Sequence, residues 1–222
     1  MAEEFDAFYA DTDAQAFAGR SGLVYPDWNE VLHVRLARVP LMQCRRRVAG
    51  LDLGGGDPTA VVVLGLDGDH HVHQYAEFYK RGLVSIEEYG GWLARYKVDT
   101  VACPPEQSTV IATLRSQFKL NAVAADNSRK DGFTMVETLI KNNRLTIEPD
   151  CKESIAEFPG YRWANKTDPN DKTRYATKTP VDHHADAHDA RRYAVMEITA
   201  MLRGAGPRIR TFNGRKPART AV

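Results

Sequence analysis

Four acidic residues fall where carboxylates can do chemistry. Asp52 stands inside an apolar run, between Leu51 and Leu53, with Gly50 before it and Gly54-Gly55-Gly56 after it. Strand interiors disfavour Asp. An acid here is either turned to solvent at a sheet edge or held on a rigid strand with space beside it. Small neighbours leave room for something bulky, and a hydrated cation with a phosphate fits that space. Glu106 follows the apolar stretch 99–103 just past Pro104-Pro105. It suits the first turn of a helix, where the dipole favours an acid, or the rim of the same site. Asp186 and Asp189 are spaced i,i+3 and share one helix face. Carboxylates gathered in one place repel each other, and a divalent cation relieves the repulsion. All-oxygen donors with open positions suit Mg²⁺ or Mn²⁺.

A scaffold must bring these acids together. Alternating or β-branched runs predict strands at 47–53, 59–66 and 71–79, with Asp67-Gly68-Asp69 as a tight turn. These make an antiparallel meander. A short edge strand is expected earlier, at 31–36. Ser85 with Glu88 three residues on is a capping-box pattern and starts a helix running to about Tyr96. Strands at 99–103, 121–125 and 144–147 then alternate with helices at 108–118, 133–142 and 153–161. The polar stretch 165–179 suits a loop or a small projecting hairpin. A last helix, 186–202, buries Ala190, Tyr193, Ala194 and Ile198. A meander followed by helix–strand alternation gives an α/β fold: a mixed sheet with helices on both faces, the ribonuclease H-like topology. There the first and fourth strands are neighbours, so Asp52 and Glu106 converge. The last helix, packed on the sheet, aims Asp189 at Asp52.

Composition narrows the class. The 222 residues are 43% hydrophobic and 27% charged, which suits a globular core and not wholesale disorder. Thirty basic against 29 acidic residues leave a net charge of +1, so any nucleic-acid surface must be local. No apolar run approaches the ~20 residues of a membrane helix. The acidic start, Met1-Ala2-Glu3-Glu4, is not a signal peptide. Cys44, Cys103 and Cys151 form no Cys-x-x-Cys pair, which disfavours a disulfide framework and structural zinc. The organisation expected is a linker or helix at 1–21, a domain at 22–202 and a basic tail at 203–222.

Several short pieces occur in a known family's order: Gly22-Leu-Val-Tyr-Pro-Asp-Trp28, Gly50-Leu-Asp-Leu-Gly54, Glu77-Phe-Tyr79, Pro104-Pro-Glu106, Phe158-Pro-Gly-Tyr-Arg-Trp163 and Asp189-Ala-Arg-Arg-Tyr-Ala194. On these the chain resembles the C-terminal nuclease domain of the large terminase subunit of tailed bacteriophages. The resemblance implies a two-metal endonuclease that cuts concatemeric double-stranded viral DNA in the host cytoplasm during packaging. Little sequence specificity is expected. Asp52, Glu106 and Asp189 would be its catalytic residues and, with Asp186, its ligands for two Mg²⁺ or Mn²⁺ ions. Portal ring, small terminase subunit and an ATPase domain upstream in the same chain would be its partners. Two positions depart from the family pattern. Cys103 stands where an acid is common, and a thiol is a poor Mg²⁺ ligand. Asp186 stands where a His is common.

DNA crossing an acidic site needs flanking cations. Candidates are Arg45, Arg46 and Arg47; Arg129 and Lys130; and Lys166, Lys172, Arg174 and Lys178 on the 165–179 stretch, which leads into the Asp186–Asp189 helix. The alternatives are a resolvase-type ribonuclease H-like nuclease, or a weakened module that binds DNA or the motor without cutting.

Overall fold

β-branched and apolar residues concentrate in the strands that end up most buried. The computed structural model describes residues 22–54, 56–167, 174–181 and 185–202, with the backbone alone for 165–167 and 174–179. The segments 1–21 and 203–222 lie outside the described residues. A short helix, α1 (Glu30–His33), precedes β1 (Arg46–Asp52), β2 (Thr59–Leu66) and β3 (Val72–Lys80). Then follow α2 (Ile86–Ala94), β4 (Thr100–Cys103), α3 (Ser108–Ser116), β5 (Ala122–Ala124), α4 (Arg129–Lys141) and β6 (Leu145–Ile147). The chain ends its described part with α5 (Lys152–Ala156), β7 (Trp163–Thr167), β8 (Arg174–Pro180) and α6 (Asp186–Leu202).

The main sheet has six strands in the order β5-β4-β1-β2-β3-β6. β1, β2 and β3 form the expected antiparallel meander, and β4 runs parallel to β1, pairing Gly50 with Ala102. Alternation along β1 splits the core in two. Val48 joins Val62, Leu64, Phe133, Val136, Ala190 and Ala194 on the face covered by α4 and α6. Ala49 and Leu51 join Val61, Tyr89, Leu93, Val110 and Leu114 on the face covered by α2 and α3. Gly50 decides how closely α6 approaches. A Cβ there would sit 1.8 Å from the Ala190 carbonyl oxygen, so the α6 backbone lies directly on β1.

Ser85 accepts the Glu88 amide, as the capping box requires. The polar stretch takes the hairpin form, β7 pairing antiparallel with β8. One expected element changes type. Residues 30–33 are helical, begun by the Asn29 side chain accepting the Val31 amide. Only Val34, bridged to Ile147, keeps the strand-like pairing expected for 31–36. Two other bounds shift: α4 begins at Arg129, and the helix expected at 153–161 stops at Ala156 and gives way to a 3₁₀ turn at Phe158–Gly160. Pro159, which lacks an N–H, suits that change.

Candidate functional site

β1 delivers Asp52 at its C-terminal end, opposite Ala60. By alternation Val48, Gly50 and Asp52 point to the α6 side. The contact of Gly50 with Ala190 therefore places the first turn of α6, with Asp186 and Asp189, over Asp52. Charge registers this proximity. Burial, then the charges of Asp189 and Asp186, push the Asp52 carboxyl up to about 7, against the pull of Arg192 and the Leu53 amide.

Protein groups hold both α6 aspartates. Asp189 Oδ1 accepts from Arg192 Nε at 3.0 Å. That guanidinium is buried, lies 4.4 Å from the Tyr193 ring centroid and 5.8 Å from that of Phe133, and its two Nη groups find no hydrogen-bond partner among the described residues. The Tyr79 hydroxyl donates to Asp186 Oδ2 at 3.0 Å. Burial, then Glu157 and Asp186, hold that hydroxyl well above the usual phenol range. Glu157 anchors the helix itself. Its carboxylate accepts the Ala187 amide at 3.1 Å and the His188 amide at 3.0 Å, two of the donors a helix N-terminus leaves unmatched. Burial pushes the Glu157 carboxyl up to about 8, although those amides and Arg191 pull it down.

The next turn of α6 is braced from below. Arg191, fully buried, donates to Gln74 Oε1 at 3.0 Å and to His188 Nδ1 at 2.8 Å, and its guanidinium lies over Phe158. His188 is stacked on Tyr161 with centroids 4.2 Å apart. Burial, then the Arg191 charge, hold it well below the usual histidine range. It serves the core and not the carboxylates.

The structure thus brings Asp52, Asp186 and Asp189 together and treats the other predicted residues differently. Glu106 is exposed in the turn between β4 and α3. Continuing the β1–β4 register puts Pro104 level with Asp52, so Glu106 stands beyond that level. Cys103 requires a correction. It packs with Leu51 and Val101 on the α2–α3 face, across the sheet from Asp52, where burial pushes its thiol up to about 12. It does not occupy a ligand position facing the aspartates, because one residue along a strand reverses the face. Arg129 lines a narrow cleft with Asp189, Tyr161 and Pro180. Lys130 instead lines a groove of about 790 Å³ with Thr134, Val195 and Arg144. Arg45, Arg46 and Arg47 lie at the start of β1, about 20 Å from Asp52 at ~3.3 Å per strand residue. Lys166, Arg174 and Lys178 have their backbone on the β7–β8 hairpin, while Lys172 lies outside the described residues.

Sequence reasoning passes over Glu157 and gives no role to Tyr79 and Arg192, although both fall within the pieces Glu77-Phe-Tyr79 and Asp189-Ala-Arg-Arg-Tyr-Ala194.

For divalent cations, the donor set fits in chemistry: three hard carboxylates whose mutual repulsion a cation would relieve. Among the described residues no group of three such ligands is gathered around one point, and Asp186 and Asp189 each meet a protein partner.

Comparison with known proteins agrees with this architecture. The large terminase subunit of Escherichia phage T5 is 22% identical over 156 residues, 68% of this chain and 35% of the relative, so the chain spans about a third of that protein's length. The large terminase of the thermophilic bacteriophage D6E, solved in complex with ADP, superposes with a TM-score of 0.66 at 23% identity over 80% of this chain and 45% of that one. The P22 large terminase nuclease domain gives 0.62 at 18% identity, covering 81% of this chain and 93% of that one. The nuclease domain of the large terminase of bacteriophage SPP1, with bound Mn, gives 0.58 at 19% identity, covering 75% and 96%. The model of the family described as "Terminase RNaseH-like domain" matches residues 49–197, a span that runs from the strand carrying Asp52 to the helix carrying Asp186 and Asp189, and the chain belongs to that family.

Proposed function

We propose that this domain is a divalent-metal-dependent endonuclease that hydrolyses phosphodiester bonds of concatemeric double-stranded DNA during phage DNA packaging. The observation that carries the reading is the placement of Asp52 at the end of β1 beside Asp189 and Asp186, where burial first and then their two charges push its carboxyl up to about 7. An acid held at such cost invites a cation. Asp52, Asp186 and Asp189, with Glu106 from the turn after β4, would hold two such ions. The ions, when bound, activate the attacking water and stabilise the leaving 3′ oxygen.

The chain's own residues do the rest. Glu157 fixes the start of α6, and with it the positions of both aspartates. Tyr79 and Arg192 restrain their carboxylates. The Asp52 carboxyl must lose its proton before it can bind a cation. Arg129 beside Asp189, Lys166, Arg174 and Lys178 of the hairpin, and Lys172, which lies outside the described residues, would hold the phosphate backbone without reading bases. Mn in the SPP1 relative supports the choice of ion. An upstream ATPase domain, the portal ring and the small subunit complete the proposed setting, the host cytoplasm. No described helix is long and apolar enough to cross a membrane.

Plasmid nicking in Mn²⁺ tests the reading. The chain should convert supercoiled to open-circular and linear DNA, and Asp52→Ala should lose that activity by at least a hundredfold. Equal cutting by the two proteins overturns it.

A further inference from the structure

Arg192 is a costly residue to bury, and its surroundings fix it in one place. It lies one turn along α6 from Asp189, and its side chain is fully covered. The stem runs against the backbone of α4, where a Cβ on Gly132 would come within 2.4 Å of Arg192 Cγ. The guanidinium sits 4.4 Å from the Tyr193 ring centroid and 5.8 Å from that of Phe133. Asp189 is the carboxylate it meets among the described residues, with Nε donating to Oδ1 at 3.0 Å. Nη1 and Nη2 find no hydrogen-bond partner among the described residues. A buried charge so thinly partnered costs stability, so core packing is a poor account of an arginine here.

The contact divides the two oxygens of Asp189. Oδ1 is taken by a guanidinium that cannot give up its charge. Oδ2 has no such partner among the described residues. A cation chelated by both oxygens would share Oδ1 with a guanidinium nitrogen 3.0 Å away, in partly desolvated surroundings where like charges repel strongly. A cation on Oδ2 alone avoids that repulsion. The same charge reaches across the site: burial, Asp189 and Asp186 raise the Asp52 carboxyl, and Arg192 is the side chain that opposes them. The number of oxygens a carboxylate offers separates cations. Mg²⁺ demands near-octahedral geometry, keeps several waters and uses few carboxylates, whereas Ca²⁺ takes more oxygens and accepts bidentate carboxylates.

We infer that Arg192 is a positioning residue that makes Asp189 a one-oxygen ligand and so biases the carboxylate site toward small octahedral cations and against Ca²⁺. That a cation binds here at all rests on the proposed function; the pairing of Arg192 with Asp189 stands without it. The clamped stem matters for the same reason. A mobile donor would yield to a chelating ion, whereas one held by Gly132, Phe133 and Tyr193 keeps its place.

The test reads binding, not cutting. Mn²⁺ binding to the full chain is followed by the electron paramagnetic resonance of the free ion, and Mg²⁺ or Ca²⁺ is titrated as competitor. From the parent chain, Ca²⁺ should displace Mn²⁺ no more readily than Mg²⁺ does. Arg192→Met removes the charge and leaves a side chain suited to its aromatic neighbours. Loss of a nearby positive charge strengthens binding of every divalent ion alike, so the informative quantity is the ratio of the two competitors. In Arg192→Met, Ca²⁺ should gain on Mg²⁺ by about fivefold, and adding Asp189→Asn should abolish the gain. A packing role alone moves both competitors equally. An unchanged ratio in an Arg192→Met chain whose circular dichroism matches the parent overturns the inference. So does a parent chain from which Ca²⁺ displaces Mn²⁺ about tenfold more readily than Mg²⁺, a result that needs no variant. A parent chain that binds no Mn²⁺ overturns this inference and the metal-dependent reading together. Equal nicking by the parent and Asp52→Ala would sink the nuclease reading and leave the ratios as they are, so the two are told apart.

Discussion

The two ends of β1 solve opposite electrostatic problems with the same two elements. At the C-terminal end, Asp52 is half-buried beside Asp186 and Asp189, and the protein tolerates a carboxyl raised to about 7. At the N-terminal end, Arg47 is matched by Asp99 while Arg45 and Arg46 face solvent. The acidic end is rigid and over-determined. Gly50 seats α6, Glu157 caps it, and Tyr79 and Arg192 each hold an aspartate. The arginine end is open, and two of its three cations are left to water. That difference separates placing atoms for a reaction from attracting a polymer. A reaction needs side chains fixed to within fractions of an ångström, whereas phosphate attraction needs only charge at the surface.

The sharpest way to break this comparison is to lift α6 off β1. Gly50→Ala puts a methyl group 1.8 Å from the Ala190 carbonyl oxygen, a backbone atom with no rotamer to yield. The helix must back away, taking Asp186 and Asp189 with it. We expect nicking to fall more than tenfold and stability to fall by about 3 kcal/mol, the upper end of overpacking costs. Gly56→Ala is the control, because a Cβ there meets nothing within 4 Å. Equal nicking by the Gly50→Ala chain would show that the Gly50 contact does not set the site.

Much of this was readable from residue order, and the exceptions share a cause. The alternation in 47–53, the turn at 67–69 and the Ser85–Glu88 cap report local preferences, and the structure follows them. The i,i+3 pair Asp186 and Asp189 was legible for the same reason. Arg191 and Arg192 were not. Two adjacent arginines suggest a solvated helix face, yet both are fully buried, one bound to Gln74 and His188, the other to Asp189. Only tertiary partners distant in sequence make that burial tolerable. Glu157 was hidden likewise, since nothing near it signals a helix start some thirty residues on. The 31–36 stretch failed because a four-residue helix set by one Asn29 side chain has no period long enough to detect.

The acidic pole also sets a pH dependence that sharpens the contrast. The ordinary Asp value is 3.8, and in the folded chain Asp52 lies near 7. The folded state holds this proton more tightly than the unfolded state, so the stabilisation is complete below pH 4 and is lost as pH rises through 7. Glu157, raised to about 8, acts in the same direction. Metal-free protein should therefore melt lower at pH 8 than at pH 5. Asp52→Asn should remove Asp52's share, stabilising the metal-free chain at pH 8 by on the order of 1–2 kcal/mol. Added Mn²⁺ should raise the melting temperature of the parent more at pH 8 than at pH 5, and that of Asp52→Asn little at either. A parent chain whose metal-free melting temperature rises from pH 5 to pH 8 would contradict the buried-carboxyl account. Arg45→Ala/Arg46→Ala should leave this pH profile in place.

The smallest expected effect tests whether the supports of the acidic pole matter beyond holding the fold. Tyr79→Phe deletes the hydroxyl that donates to Asp186 Oδ2 and keeps the ring. One hydrogen bond is worth about 1 kcal/mol, so stability should drop by no more than that. Asp186 would then sample more rotamers, and cations would have to select the productive one. The expected signature is a two- to fivefold rise in the Mn²⁺ concentration giving half-maximal nicking, with the rate at saturating Mn²⁺ nearly unchanged. A purely structural role would instead lower the melting temperature and leave that concentration where it was. Such an outcome would reduce Tyr79 to packing and leave Glu157 and Arg192 as the groups that shape the acidic pole.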